Sequence, residues 1–492
     1  MSGSPSSVPC SPAFPRLAPG FSVSESNRSS RVGKTSASYS SLKEGLIRDG
    51  LWASETRDAW RLSCKPFFLS PDQAAFFQEL GGYLLSFYQA LNKLYVDSVK
   101  GREPQWVHEY LDLGKPPELL AYARMNRFKD HIPGIIRPDL ILTDTGIALT
   151  ELDSVPGGLG LTGSLSRAYT QEGFDIWPSA DGMVKQFARM VHSVLQEQPP
   201  SLAIVVSDEA ESYRAEMQWM AEQLRREGLK AWCVHPKDIR FSEDGLFIGQ
   251  DQHEAPISLV YRFYELFDLK NIPKAELVMY SAKKGKVLMT PPYKPWMEEK
   301  LALALFHHPL LEAYWERALT PAVQDCLRAV IPKTWVLDPR PLPPSAVLPG
   351  LLHNNRAVSD WSWLEKASQK ERQYVVKVSG FSEQAWGSRG VAIGHDLSQQ
   401  HWQETLRRAL EGFQTSPSIL QVFHKGQVVV VEYYDPSTEE VRSMEGRVRL
   451  SPYYGVADGK AELAGVLATI CPKDKKIIHG MKDAVMVPCA VG

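Results

Sequence analysis

The chain has 492 residues, with 55 basic and 57 acidic side chains and a formal net charge of −2. This balance gives no electrostatic reason to expect nucleic acid or an anionic membrane surface as a partner. No apolar run reaches the roughly 18–20 residues that span a bilayer. The length predicts two or three lobes rather than one core. The six cysteines form no CxxC pair, which is typical of a protein of the reducing cytosol, so we expect a cytoplasmic protein.

The first 41 residues are rich in Ser and Pro and almost without acidic side chains. This composition predicts a disordered tail, with a transit peptide as the alternative. From about residue 42 to residue 129 apolar residues recur mostly at helical spacing. The clearest case is "PDQAAFFQELGGYLLSFYQALNKLYVDSV", for which Ser70-Pro71-Asp72 is a plausible start.

The middle and the last third of the chain contain the strands. Residues 200–241 predict a strand, a helix that ends at Gly228 and a second strand. Such a βαβ unit implies a parallel sheet. From about residue 373 several short apolar runs predict further strands, with a helix at 398–412 between the first two. The predicted fold class is therefore mixed, α/β with α+β parts.

Between these regions, "IRPDLILTDTGIALTELD" predicts a hairpin. A three-residue loop Asp144-Thr145-Gly146 would pair Thr143 with Ile147. Pro138 would restrict the first strand to a sheet edge or to its first residues.

This register places Asp139 opposite Glu151 and Arg137 opposite Asp153, all on one face. Directly opposed like charges destabilise a sheet unless a cation lies between them. Mg²⁺ prefers oxygen ligands and often combines one or two carboxylates with substrate phosphates. The three acids are thus candidate metal ligands, and Arg137 is a candidate for contacting a phosphate. The alternative is a solvated acidic face with an ordinary Arg137–Asp153 pair.

A glycine motif follows the hairpin. Gly158, Gly160 and Gly163 fit GxGxxG, so a dinucleotide-binding turn is a formal candidate, but a flexible loop beside the carboxylates is the preferred interpretation. The preceding strand lacks the continuous apolar run of a buried parallel strand, and its acids would repel a pyrophosphate.

A second glycine-rich stretch is "QYVVKVSGFSEQAWGSRGV". Lys377 interrupts an apolar strand that a loop follows, an arrangement that can hold ATP phosphates through the lysine and through free backbone N–H groups. An ordinary strand-end lysine is the alternative. Further along, a strand edge at 421–423 is a candidate for binding adenine, with an ordinary hairpin as the alternative. The candidate nucleotide-binding residues in these two stretches are Lys377, Gly380, Gly387, Arg389, Gly390, Gln421, Val422 and Phe423.

Together these motifs resemble the ATP-grasp superfamily, and within it the circularly permuted branch that is similar to glutathionylspermidine synthetase. The family's Arg-x-Asp and Glu-x-Asn read here as "RPD" at 137–139 and "ELD" at 151–153, with Asp153 in place of Asn. An earlier lysine of the family corresponds to Lys300, and Gln421 stands where a glutamate is common. The acidic motif precedes the nucleotide-binding strand, as permutation requires.

The resemblance implies ATP and Mg²⁺ as cofactors and a ligase that activates a substrate carboxylate as an acyl phosphate for attack by an amine. Metal ligands would be Asp139, Glu151 and Asp153, Arg137 would be catalytic, and Lys300 and Lys377 would bind phosphates. Three alternatives stay open: a kinase on the same fold, a nucleotide-binding regulatory protein with a degenerate site, and a dinucleotide oxidoreductase. The partners would be small-molecule acids and amines, and a homodimer is expected by analogy.

Four segments are expected: the tail (1–41), a helical region with the hairpin and glycine-rich loop (42–195), a pre-ATP-grasp-like βαβ domain (196–325), and a nucleotide-binding lobe with C-terminal strands (326–492). In the last segment Arg447 and Arg449 share a strand face. They are candidates for contacting phosphate or a substrate carboxylate, or for pairing with Glu445.

Overall fold

The computed structural model describes residues 36–52, 60–195, 200–249, 254–343, 346–353, 356–385, 389–435, 438–480 and 483–492. Within them the α-helices are α1 (Ser36–Arg48), α2 (Pro71–Val99), α3 (Gln105–Asp112), α4 (Pro117–Ala123), α5 (Leu159–Gln171), α6 (Gly182–Leu195), α7 (Arg214–Arg226), α8 (Ala275–Lys284), α9 (Leu301–Phe306), α10 (Glu312–Ala318), α11 (Pro321–Val330), α12 (Ser362–Glu365) and α13 (Gln399–Glu411). Over the same ranges, no helix is both long and apolar enough to cross a membrane.

The strands of the described residues are β1 (Phe67–Leu69), β2 (Ile135–Thr143), β3 (Gly146–Asp153), β4 (Ser201–Val206), β5 (Lys230–Val234), β6 (Arg240–Ser242), β7 (Gly245–Ile248), β8 (Ala255–Ile257), β9 (Leu259–Phe263), β10 (Leu288–Thr290), β11 (Thr334–Val336), β12 (Leu352–His353), β13 (Arg356–Ala357), β14 (Tyr374–Val378), β15 (Val391–Ile393), β16 (Ser418–Val422), β17 (Val428–Asp435), β18 (Glu440–Ala457), β19 (Lys460–Pro472) and β20 (Val485–Val491). They form three main sheets and two small ones, β6-β7-β8 and β12-β13.

The largest sheet has the order β1-β20-β19-β18-β2-β3, and β17 pairs with the first half of β18. Its strands are antiparallel, except that β1 runs parallel to β20. Helices α2, α5 and α6 pack against it and bury its apolar side chains. Helix α2 begins where the sequence predicts, because the Ser70 side chain accepts the N–H of Gln73 and the Gln73 side chain accepts the N–H of Ser70.

The second sheet is parallel, in the order β10-β9-β4-β5. Helix α7 connects β4 to β5, as the sequence predicts, and all six residues of β4 are buried. The α/β class is therefore confirmed. Since β5 and β9 lie on opposite sides of β4, a crevice forms at the carboxyl ends of β4 and β9, where open α/β sheets commonly bind ligands.

The third sheet is antiparallel, in the order β11-β16-β14-β15, and α13 packs against β14. Lys377 lies on β14, inside the predicted apolar strand.

Helix α1 begins inside the segment that the sequence predicts as a tail. Residues 36–41 belong to α1, which buries Tyr39, Leu42 and Leu46, and residues 1–35 lie outside the described part of the chain. The segment boundaries otherwise stay predictions, although β17–β20 share their sheet with β1–β3 rather than with β14.

Candidate active site

The acidic hairpin is made by β2 and β3, and its turn differs from the prediction. Thr143 pairs with Gly146 and not with Ile147, so the turn has two residues, 144–145, instead of three. A bulge at Thr150 then adds the missing residue on β3. The shorter turn shifts the pairing by one residue, and the extra residue at the bulge shifts it back. The register beyond the bulge is therefore the predicted one.

Arg137 pairs with Asp153, and Asp139 pairs with Glu151. The Arg137 Nη2 donates to Asp153 Oδ2 at 2.8 Å, and its Nε lies 3.4 Å from Asp139 Oδ1. The hairpin therefore brings together the three acids and the arginine that the sequence predicts.

Strand β2 lies inside its sheet, between β18 and β3, so of the two expectations for Pro138 the edge strand is wrong; Pro138 is the fourth residue of β2. Pairing between β2 and β18 is interrupted at residues 137–139, where Pro138 and Pro452 both lack an N–H. In this gap Asp139 accepts hydrogen bonds from Arg449 Nη1 and from Ser451 Oγ, each at 3.0 Å. The two prolines thus fit an interior position because the gap is filled by side chains.

The two aspartates have opposite electrostatic settings. Burial opposes ionisation of Asp139, but Arg137, Arg449 and the Ser451 hydroxyl outweigh it and hold its pKa below the ordinary value. Burial raises the pKa of Asp153, helped by Glu151 and opposed by Arg137. Asp139 is therefore a fixed negative charge, whereas Asp153 is the more readily protonated carboxyl.

Lys300 and Lys377 approach the hairpin from two other segments. Lys300 Nζ forms an ion pair with Glu151 Oε1 at 2.7 Å and donates to Ala385 O at 3.0 Å. Lys377 Nζ donates to the carbonyl of the bulged Thr150 at 2.8 Å and to Gln421 Oε1 at 2.9 Å. Burial lowers the pKa of Lys377 to about 8.

A cavity of 740 Å³ opens beside these groups. The carboxyl ends of β4 and β9 form one wall, through Ser207 and Glu265 among others, and the hairpin forms another. The predicted site residues that line it are Arg137, Asp139, Glu151, Asp153, Lys300, Gly380 and Arg389.

Gly380, Phe381, Ala385 and Arg389 also line the cavity, and Gly387 lies outside the described residues. Arg389 Nη1 approaches Glu209 Oε1, on the parallel-sheet side, at 3.4 Å. Gly390 does not line the cavity; it donates its N–H to Gln384 O at 2.7 Å and so closes the loop on itself.

The expected adenine contact at Gln421, Val422 and Phe423 stays a prediction, and the hydrogen-bond donors of these residues are already engaged. Val422 N–H donates to Lys333 O and Phe423 N–H donates to Gln373 O, both at 2.9 Å. The Gln421 amide donates to Thr334 Oγ1 at 3.1 Å while its oxygen accepts from Lys377. Because these donors already have internal acceptors, an adenine ring would have to use other groups.

The GxGxxG turn holds a carboxylate in place of a pyrophosphate. At the start of α5, Glu216 accepts the N–H of Gly158 at 2.8 Å and the N–H of Leu161 at 3.1 Å. A Cβ on Gly160 would lie 2.1 Å from the Glu216 carbonyl oxygen, so this glycine allows α5 to pack on α7. The Glu216 carboxyl group, whose pKa burial raises to about 7, already occupies the helix N-terminus that a dinucleotide would need, which argues against the oxidoreductase interpretation.

No protein-family model matches the chain, and no curated protein sequence is significantly similar to it. Among solved structures, a ligand-free glutathione synthetase-like effector from Globodera pallida matches 93% of this chain and 97% of its own, with 12% identity and a TM-score of 0.55. This chain has a glutathione synthetase-like fold. A candidate gamma-glutamylcysteine synthetase from Methylobacillus flagellatus KT matches 77% of this chain and 85% of its own, with 11% identity and a TM-score of 0.41.

On this glutathione synthetase-like fold, the cavity also contains carboxylates that the sequence did not single out. Glu298 pairs with the fully buried Arg262, and burial raises the Glu298 pKa to about 7. Burial, with Glu298 nearby, raises the pKa of Glu265 well above its ordinary value. No sequence spacing signals these contacts, because they join segments that only the packing of the parallel sheet brings together.

The C-terminal arginines have separate roles. Arg449 lines the cavity and holds Asp139, whereas Arg447 Nε donates to Gly426 O at 3.1 Å. Glu445 pairs with Lys473 instead, so the suggested pairing of either arginine with Glu445 is wrong.

In the described part of the chain, no three His, Cys, Asp or Glu side chains are grouped as a ready-made metal site. Glu151 is paired with Lys300, and Asp153 with Arg137. Both oxygens of Asp139 are engaged by arginine and serine donors. The metal ligands therefore stay predictions, and Asp139 fits the role less well than the other two acids.

Proposed function

We propose that this protein is an ATP- and Mg²⁺-dependent ligase that joins a substrate carboxylate to an amine. The observation that carries the proposal is the Lys300–Glu151 ion pair beside the Arg137–Asp153 pair, in a 740 Å³ cavity. The glutathione synthetase-like fold supports this reaction class. Acidic and basic side chains alternate in this cavity. Such an arrangement suits a site that must bind both phosphates and a cation.

The donor set fits Mg²⁺ if the cations exchange partners when nucleotide arrives. Lys300 would leave Glu151 and bind a phosphate oxygen, and Arg137 would leave Asp153 and bind another phosphate oxygen. Two hard oxygen donors would then be available for Mg²⁺, which typically combines one or two carboxylates with substrate phosphates. The bound ion would neutralise negative charge on the phosphates during transfer.

The protein's own residues position the reactants and stabilise charge. In this mechanism a substrate carboxylate oxygen attacks the γ-phosphorus, and ADP leaves. The amine gives up its extra proton to a cavity carboxylate, its neutral nitrogen attacks the acyl carbon, and phosphate leaves as the nitrogen loses a second proton to solvent. Arg137 would contact the transferring group, since its guanidinium lines the cavity beside the hairpin acids. The 380–390 loop would exclude water that hydrolyses the acyl phosphate.

The acidic wall of the cavity is the proposed place of the amine substrate. Glu265 and Glu298 line the same cavity as Asp153, and Glu265 follows the carboxyl end of β9. Because burial raises the pKa of each of these two glutamates, a cationic amine that enters would lower both pKa values and favour the ionised carboxylates.

The test is calorimetric titration with a non-hydrolysable ATP analogue in Mg²⁺ and in EDTA. We expect binding that weakens at least about ten-fold without Mg²⁺, since the ion links the phosphates to the two carboxylates. Binding of NAD instead of ATP would favour the oxidoreductase. Binding that ignores Mg²⁺, or ATP binding with no turnover on any acid–amine pair, would contradict the ligase. A phosphorylated product without amide formation would identify a kinase.

The lowered pKa of Lys377 predicts the pH dependence of nucleotide binding. Only the protonated amine attracts a phosphate, and with a pKa of about 8 Lys377 is half deprotonated near pH 8. We expect affinity to fall as pH rises, by roughly ten-fold between pH 8.5 and 9.5. The same titration at several pH values measures this.

Lys377→Arg is the matched control for the pH titration, because a guanidinium stays charged over this range. Its affinity should change little with pH. A flat profile in the unchanged protein would exclude Lys377 from the phosphate site.

A further inference from the structure

Glu299 precedes Lys300 and is buried between partners from two other segments. Its Oε1 lies 2.5 Å from Lys115 Nζ, and the side chains of Lys115 and Glu299 are 0% and 1% exposed. Its Oε2 accepts the hydroxyl proton of Ser379. A carboxylate this deeply buried is stable as an ion only with such partners.

Ser379 connects this carboxylate to both lysine-bearing segments. Its hydroxyl oxygen accepts the N–H of Leu301 at 2.8 Å, and its carbonyl accepts the N–H of Lys300 at 3.2 Å. Ser379 is itself fully buried and lies two residues after Lys377 on the same strand exit. The contact between Glu299 and Ser379 therefore fixes the Lys300 segment against the Lys377 segment.

The beginning of the 380–390 loop is shaped by the same carboxylate. A Cβ on Gly380 would lie 2.6 Å from the carboxylate carbon of Glu299, so a larger residue would displace it. The next residue, Phe381, packs against the core of the parallel sheet, and Lys115 Nζ lies 5.9 Å from its ring centre. The position of the loop at Gly380 and the position of the Glu299 carboxylate thus depend on each other.

Lys115 brings a third element into this arrangement. It lies in the connection between α3 and α4, where a Cβ on Gly114 would lie 2.0 Å from Thr415 O. Tyr110 of α3 donates its hydroxyl to Asp338 Oδ2 at 2.5 Å. This connection is therefore packed firmly on the lobe that carries Lys377, and it supplies the positive charge that Glu299 requires.

We propose that Glu299 is a positioning residue, which sets Lys300, Lys377 and the start of the 380–390 loop in their places before nucleotide binds. The set of Lys115, Glu299 and Ser379 is called the Glu299 latch. Its use in nucleotide binding rests on the proposed function, whereas its effect on the loop does not.

The test compares Glu299→Gln, Lys115→Met and the double variant with the unchanged protein. Amide hydrogen exchange of residues 379–385 is measured without nucleotide, and the affinity for the ATP analogue is measured by titration. We expect each single variant to speed exchange at 379–385 and weaken analogue binding, each by roughly ten-fold or more, since a charged hydrogen bond is lost. The double variant should lie closer to the unchanged protein, because it leaves no buried charge unpaired.

Two further variants keep the test decisive. Ser379→Ala retains the ion pair, should fold in any case, and should loosen the loop to a smaller extent. Glu312→Gln is the matched control, because its pair with Arg328 is exposed at 56% and 48%, and it should change neither readout.

Unchanged exchange at 379–385 in the folded single variants would overturn the latch, and so would a uniform rise over the whole molecule. Faster exchange confined to 379–385, in a protein that binds no nucleotide, would support the latch and refute the proposed function. Local loosening together with unchanged analogue affinity would overturn the positioning of the lysines.

Discussion

Replacing Glu151 by glutamine is expected to lower Mg²⁺-dependent turnover by about 100- to 1,000-fold and to leave the fold intact. The side chain is 36% exposed at the cavity and pairs with Lys300 at 2.7 Å. Glutamine keeps the shape of the side chain but provides neither a charged oxygen for Mg²⁺ nor a counter-ion for Lys300. The measurement is ADP release from Mg·ATP over a panel of carboxylate and amine pairs.

Asp144→Asn is the control for Glu151→Gln. Asp144 is an exposed acid in the turn of the same hairpin and is outside the cavity lining, so its replacement should leave turnover unchanged. Thermal unfolding of both variants separates chemistry from stability. Full activity of a folded Glu151→Gln variant would remove the hairpin from the reaction and return its acids to structural ion pairing.

The hairpin shows which contacts a local sequence pattern can predict and which it cannot. Alternation of side chains predicted which residues share a face, but the pairing of Asp139 with Glu151 was predicted from a three-residue turn. The structure has this pairing because its two-residue turn and the bulge at Thr150 offset each other. The pattern did not reveal the bulge at Thr150, because a bulge depends on what the freed carbonyl contacts. Here that contact is Lys377, from a strand far along the chain.

Strand environment was the harder part of the fold. The βαβ unit and the start of α2 follow from short-range signals, namely an apolar run and a capping serine. Proline is usually confined to edge strands, yet Pro138 lies on β2 in the interior of its sheet. It is tolerated there because it faces a second proline on β18. Only the partner strand makes Pro138 acceptable there, and a single strand's sequence does not name its partner.

Long-range contacts also explain which site residues sequence reasoning overlooked. The acids of the hairpin and the two lysines, Lys300 and Lys377, lie in sequence motifs. In contrast, Glu216, Glu265 and Glu299 acquire their roles from packing. Glu216 turns an apparent dinucleotide motif into a helix that is capped by a side chain. A motif's chemistry is therefore decided by what fills the space beside it, and that space is made by the tertiary fold.

Asp139→Asn is expected to reduce the free energy of unfolding by about 3–5 kcal/mol, the usual effect of breaking a buried ion pair. The carboxylate is 8% exposed and lies between Arg137 and Arg449, with Ser451 donating to it. Asparagine would leave the two guanidinium groups without the charge that offsets their burial. Urea unfolding at pH 7 measures the loss, and Glu312→Gln, which breaks an exposed pair, should cost at most about 1 kcal/mol.

The pH dependence separates charge from shape in the Asp139 variant. Because Arg137 and Arg449 hold the pKa of Asp139 below its ordinary value, the ionised form stabilises the fold above about pH 3.9, and this contribution disappears as pH falls through the folded-state pKa. The difference between Asp139→Asn and the unchanged protein should thus be full at neutral pH and shrink in acid. A difference that persists in acid would mean that packing, not charge, makes Asp139 important. Loss of activity at Asp139 would then report a damaged framework, and Glu151 would remain the residue that tests the metal.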